Sequence, residues 1–202
     1  MVDSQLRTNG VTTPWVVQAM GRVPREPFLP AGRQATAYHD RSIDLGNGRM
    51  LNPPLASAQL LQAAEISPDD KILLIGCGSG YLAALLSGQA GRLVAVESDA
   101  TLAAAARSNV AGLELVENAL AKGASAAAPY DAIIIDGAIE QLPAAIEAQL
   151  AEDGRIVTGL IEGPVRRLAT GTKHRGRIAL RTFADLEVAP LPGFERTKEF
   201  VF

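Results

Sequence analysis

The stretch Ile72-Leu73-Leu74-Ile75-Gly76-Cys77-Gly78-Ser79-Gly80-Tyr81 decides the fold. Four apolar residues run into three glycines at alternate positions and then into helical spacing, which reads as a strand, a tight turn and a helix. Glycine lets the backbone turn sharply and approach a ligand without an intervening Cβ. The first amides of the following helix lack partners within the helix, so they point toward whatever lies above the turn.

Outward from this turn the chain alternates between short apolar runs and alanine-rich helical segments. The runs cover residues 72–75, 93–96, 113–116, 132–135 and 155–160, and helical periodicity covers 81–89, 99–109 and 143–150. Continuous apolar strands imply burial on both faces, as in a parallel sheet covered by helices. The expected fold is therefore α/β, a Rossmann-like doubly wound, mostly parallel sheet. Residues 166–184 read as two strands around a turn at 173–176, an antiparallel hairpin at the sheet edge. Upstream, Thr13-Pro14 predicts a helix start, with threonine as cap and proline in the first turn. Pro24, Pro27 and Pro30 keep the next stretch irregular. Residues 40–54, with Gly46-Asn47-Gly48 and Pro53-Pro54, read as loop with one short strand, and 55–64 as helix. One domain over 1–202 is expected, a helical and loop cap (1–64) on a core (65–202).

Composition narrows the function classes. The formal net charge of −3 gives no basic footprint for nucleic acid. The cluster Arg166, Arg167, Lys173, His174, Arg175 and Arg177 reads as a solvated hairpin surface. One cysteine, Cys77, allows no internal disulfide, which favours a reducing cytoplasm. The first residues carry no apolar signal core, and no run approaches the ~20 apolar residues that span a bilayer. No group of residues has zinc-site spacing, so no metal is expected. With no histidine near it in sequence, Cys77 reads as a small loop residue rather than a nucleophile.

Glu97 lies near the end of the strand that follows the glycine turn, about twenty residues on. A carboxylate there can accept both ribose hydroxyls of a nucleoside ligand. Dinucleotide sites want G-x-G-x-x-G, but Tyr81 stands where the third of those glycines would be. The spacing G-x-G-x-G suits S-adenosylmethionine, which has no pyrophosphate to cradle.

Set beside this turn, Pro27-Phe28-Leu29-Pro30, Ala37-Tyr38-His39-Asp40-Arg41, Gly46-Asn47-Gly48 and Pro54 resemble the N-terminal half of the protein-L-isoaspartate O-methyltransferases. The likeness continues through Pro129-Tyr130-Asp131-Ala132-Ile133-Ile134, Leu142-Pro143, residues 150–157 and Pro190-Leu191, nearly the whole chain. The resemblance implies methyl transfer from S-adenosylmethionine to the carboxylate of an isoaspartyl residue in damaged protein or peptide. It implies cofactor binding by Gly76, Gly78, Ser79, Gly80, Tyr81 and Glu97. Three positions depart from the family pattern. The family's active-site serine falls on Asn52, whose amide N–H groups can also hold a carboxylate. An acid expected at the methionine end of the cofactor falls on Leu74, and one expected at the adenine falls on Ala119. Each hydrogen bond lost to a charged group is worth about 1.5–3 kcal/mol, so two losses weaken cofactor binding by about a hundredfold or more without compensation. Glu117 or Asn118 can supply the adenine contact instead. Asp136, at a strand's carboxyl end, is a further polar candidate, alongside its reading as a solvated acid. These departures keep two other readings open: a non-catalytic binding or regulatory protein on the same fold, and a methyltransferase for a different carboxylate. His39, His174, Trp15 and Phe28 are expected to be loop, turn and core residues.

Overall fold

The computed structural model describes residues 1–196. Two short helical turns (Val2–Leu6 and Arg7–Asn9) lead into α1 (Pro14–Arg22); a hairpin of β1 (Ile43–Gly46) and β2 (Arg49–Leu51) precedes α2 (Pro54–Ala63). The core then runs β3 (Lys71–Ile75), α3 (Tyr81–Leu86), β4 (Arg92–Glu97), α4 (Ala100–Asn109), β5 (Glu114–Glu117), β6 (Tyr130–Ile139), α5 (Ala144–Glu147), β7 (Leu150–Glu162), β8 (Val165–His174), β9 (Arg177–Ile178) and β10 (Arg181–Asp185). These strands form one sheet in the order β10-β8-β7-β6-β3-β4-β5, with β9 beside β8. Strands β5, β4, β3, β6 and β7 run parallel, and β8 and β10 complete the edge antiparallel. This is the doubly wound sheet expected from the apolar runs.

The strands are apolar throughout because both faces are covered. Ile72 and Leu74 lie in the core layer that also holds Val16 of α1, Leu60 of α2 and Leu82 of α3. Leu73 and Ile75 face the opposite layer, with Ile146 of α5, Leu191 and Phe194. Trp15 and Phe28 pack against or within the first layer, as expected.

Several boundaries differ from the sequence reading. Residues 40–54 contain two strands, because Gly46, Asn47 and Gly48 all take positive φ and close a hairpin. Thr13 makes no side-chain cap; its N–H and hydroxyl, with the Thr12 N–H, donate to Gln62 Oε1 at 2.8–3.1 Å. Helix α3 stops at Leu86 rather than 89, where Ser87 turns extended and Gly88 takes φ +75°. Helix α5 is one turn long, since the Tyr130 N–H donates to Gln149 O (2.9 Å) and draws the chain toward strand β7. The edge hairpin turns at Arg175 and Gly176, but β9 pairs only with Lys173 and His174, and β10 then rejoins β8 from Arg181.

Gly80 shows how tightly the turn into α3 is packed. It sits at φ +98°, and a Cβ there would lie 3.2 Å from the Ala106 Cα of α4. The backbone of a helix cannot yield as a flexible side chain can. Gly80→Ala is therefore expected to cost about 2–4 kcal/mol, from left-handed strain plus overpacking, read as a lower urea midpoint with unchanged m-value.

Candidate cofactor site at the glycine turn

Strand order reverses at β3, whose neighbours β4 and β6 lead the chain away in opposite directions. Ligands of open α/β sheets bind in the crevice at the carboxyl ends beside such a reversal. At that place in this chain lie the glycine turn, Glu97 and Asp136, all buried. The Gly76 and Cys77 N–H groups both donate to Val96 O (2.9 and 3.2 Å), which locks the turn to the end of β4.

Glu97 is fully buried. Its Oε2 accepts the Gly78 N–H at 2.7 Å. Its Oε1 accepts the N–H groups of Ser98 (2.8 Å) and Asp99 (3.1 Å) and an ion-paired hydrogen bond from Arg49 Nη1. Arg49, itself 3% exposed, also donates from Nη2 to Gly76 O (3.2 Å). Removing one partner of such a buried pair typically costs about 3–5 kcal/mol, because the other charge is left uncompensated.

Arg49 belongs to β2, so the β1–β2 hairpin forms a roof over the turn. Asn47 Nδ2 at its tip donates to Asp99 Oδ2 (2.7 Å), while Asp99 Oδ1 caps α4 by accepting the Leu102 N–H; these bonds, the helix cap first, hold the Asp99 carboxyl below its usual range. Leu45 of the same hairpin lies 3.2 Å from where a Gly78 Cβ would stand. A second cover comes from the chain after β10. The Ala138 N–H donates to Ala189 O (2.7 Å) and the Leu191 N–H to Ala138 O (2.8 Å). Leu191 lies over Gly76 and Gly137, 2.9 and 2.8 Å from where their Cβ atoms would stand.

Asn52, just past β2, spends its amide inside the fold. Its Nδ2 donates to Asp136 Oδ1 (2.7 Å), and its Oδ1 accepts the Ala189 N–H (2.8 Å). With 1% exposure, it anchors Asp136 and the C-terminal cover from inside the fold. Behind it lies Arg25, fully buried. Arg25 Nε donates to Ala37 O (2.7 Å) and Nη2 to Asn52 O (2.9 Å), and its guanidinium stacks 4.6 Å over the Tyr81 ring.

Of the residues expected to touch cofactor, Gly76, Gly78 and Glu97 meet at the crevice. Ser79 and Tyr81 turn toward the N-terminal cap. Ser79 Oγ donates to Phe28 O (2.5 Å), and Tyr81 is buried against Phe28 and Arg25. Gly80 serves helix packing. Glu117 is exposed and paired with Arg107 (2.6 Å). Asn118 closes its own loop, donating to Gly123 O and accepting the Ala119 N–H. Leu74 is core, as its residue type implies. The solvated reading of Asp136 is corrected: the side chain is buried. Arg49 and Arg25 are the residues of this candidate site that sequence reading missed. Cys77 is buried, and burial together with the Glu97 carboxylate pushes its thiol far up, which keeps it from acting as a thiolate.

The family profile described as protein-L-isoaspartate(D-aspartate) O-methyltransferase matches residues 1–193. The chain belongs to that family. Relatives named protein-L-isoaspartate O-methyltransferase include one from Koribacter versatilis, 34% identical over 96% of this chain and 89% of its own. One from Methylorubrum populi is 37% identical over 95% and 92%. A solved protein-L-isoaspartate O-methyltransferase superposes with TM-score 0.79 at 21% identity, covering 96% of this chain and 66% of that one. A Plasmodium falciparum structure in complex with S-adenosyl-L-homocysteine gives TM-score 0.78 at 18% identity, over 94% and 96%. The isoaspartate methyltransferases are enzymes that use S-adenosylmethionine. Toward the nucleoside end of such a cofactor, Glu97 Oε2 accepts one hydrogen bond, from the Gly78 N–H, and so retains acceptor capacity. Leu74 and Ala119 add no side-chain hydrogen bond.

Burial is the main cause that pushes the Asp136 carboxyl up to about 6, against the Asn52 hydrogen bond and the nearby Arg49 and Arg25 charges. An unfolded aspartate releases its proton near pH 4. Between about pH 4 and 6 the folded chain therefore holds the extra proton, so this group's contribution to stability falls as pH rises through that window and stays low above it. About two pH units correspond to roughly 3 kcal/mol at most. Asp136→Asn keeps an acceptor for Asn52 but removes the charge. Its stability relative to wild type is expected to rise between pH 4.5 and 7.5, by about 1–3 kcal/mol, in denaturant titrations run at each pH.

Proposed function

We propose that this chain is an S-adenosylmethionine-dependent carboxyl methyltransferase acting on isoaspartyl residues of damaged protein or peptide, the opening step of their repair. The observation that carries this reading is the buried Glu97 carboxylate, held beside a glycine turn at the sheet's reversal point, in a chain matched by the family over residues 1–193. S-adenosylmethionine supplies an electrophilic methyl group when bound. The acceptor carboxylate is ionised at neutral pH, so no residue needs to remove a proton from it. What remains for the protein is to orient the acceptor and exclude water.

In this reading the Gly76–Gly78 backbone and Glu97 hold the nucleoside end of the cofactor. Asn52 acts as a positioning residue: it fixes Asp136 as a polar wall of the transfer region and ties down the cover through Ala189. Glu117 and Asn118 lie next to Glu97's strand end, where an adenine would rest. The single buried thiol and the sequence pI of about 5.5 support action in a reducing cytoplasm, on protein substrates and not on nucleic acid. Among the described residues no helix is long and apolar enough to cross a membrane.

A second reading, a non-catalytic member that keeps the fold for binding, is favoured by one observation: both ends of the Asn52 amide are already committed. Labelled methyl transfer to an isoaspartyl peptide, beside the matching aspartyl peptide, separates the two. The enzyme reading expects label on the isoaspartyl peptide only, base-labile as a methyl ester should be. It also expects Glu97→Gln to weaken S-adenosylhomocysteine binding by about tenfold or more, the worth of one charge-assisted hydrogen bond. No label on either peptide, with a folded protein and saturating donor, would leave the non-catalytic reading.

A further inference from the structure

The acceptors that make this crevice suitable for a nucleoside are not free in the folded chain. Arg49 Nη1 bonds Glu97 Oε1 and Arg49 Nη2 bonds Gly76 O, so one guanidinium spans the carboxylate and the carbonyl of the first glycine. Nη2 lies 3.3 Å from where a Gly76 Cβ would stand, in the space that glycine leaves open for a ligand. A planar fork of N–H donors meets such acceptors well. Its surroundings hold it there: Asn47 pins the hairpin tip to Asp99, Leu45 covers Gly78, and Leu191 covers Gly76.

We propose that Arg49 is a built-in competitor for the cofactor: its guanidinium occupies the Glu97 and Gly76 acceptors, and S-adenosylmethionine binds only as Arg49 is ejected. The proposal rests on the function above and adds a regulatory element to the same site. The hairpin is the moving part, because it lies outside the main sheet and is attached to the core at this point through side chains. Binding exchanges an internal ion pair for the ligand's hydroxyl and amino donors. The measured affinity is thus reduced by the fraction of molecules in which the crevice is closed, and a change that loosens the hairpin while leaving Glu97 and the glycine turn intact tightens apparent cofactor binding. The site is set to a higher cofactor threshold than its floor alone would give.

The test is calorimetric titration of S-adenosylhomocysteine into wild type, Arg49→Ala and Arg49→Gln, with thermal unfolding run in parallel. Glu97 keeps three backbone donors in both variants, so folding does not depend on the guanidinium alone. The expected result is dissociation constants at least tenfold lower in both variants, with a larger ligand-induced rise in Tm than in wild type. Variants that are folded and bind as wild type does, or more weakly, overturn the competitor while leaving the cofactor reading standing. Absence of binding up to millimolar ligand in wild type and variants alike overturns the cofactor reading and the competitor together. A wild-type measurement covers the case of a variant that fails to fold. Arg49, now 3% exposed, should become more reactive toward phenylglyoxal when saturating S-adenosylhomocysteine is added, mapped by peptide mass. Unchanged or reduced reactivity at saturation would also overturn the competitor.

Discussion

A carboxylate taken wholly out of water must be answered by donors, and in this protein the answer organises everything around it. Glu97 collects N–H groups from the glycine turn, from its own strand end and from a hairpin 48 residues upstream in sequence. Each contact fixes a different piece of the chain. The Gly78 amide sets the conformation of the turn, the Ser98 and Asp99 amides set the entry into α4, and Arg49 sets the height of the hairpin. The burial of one charge thus converts three independent segments into one wall of a crevice. The same burial makes the wall brittle, since losing any charged partner exposes the desolvation cost of the other.

The parallel core was legible because its physics is local to each strand. Two-sided burial leaves apolar runs that no solvated strand would carry, and the alternation of Leu73 with Leu74 between two core layers follows directly. The glycine turn was legible for the same reason: positive φ and close approach write themselves as glycine. The crevice was legible only in its floor. Arg49 follows Gly46-Asn47-Gly48, a stretch that reads as loop, and an arginine in a loop reads as solvated. Nothing within ten residues of it signals a buried carboxylate partner.

Asn52 and Asp136 illustrate the same limit from the other side. They lie 84 residues apart and share a 2.7 Å hydrogen bond, yet each alone resembles an ordinary polar residue near a strand end. Ser79 and Tyr81 sit in the turn that the family resemblance assigns to the cofactor. Backbone direction sends their side chains the other way, into the N-terminal cap. Residue type and spacing locate a turn, but the side on which each side chain emerges depends on packing by segments far away in sequence.

The covers of the crevice come from opposite ends of the chain. Ser42 and Asn52 bind Glu187 and Ala189 across 145 and 137 residues, and Ala138 is bridged by the Ala189–Leu191 segment. During synthesis, the glycine turn and strands β3, β4 and β5 are made well before residues 187–191. Contacts of such long span carry a larger loop-closure entropy than the pairing of β3 with β4 or β4 with β5, so the C-terminal cover is expected to close after those strands have paired. A nascent chain of this protein therefore carries the residues of its glycine turn before those of its C-terminal cover have been made.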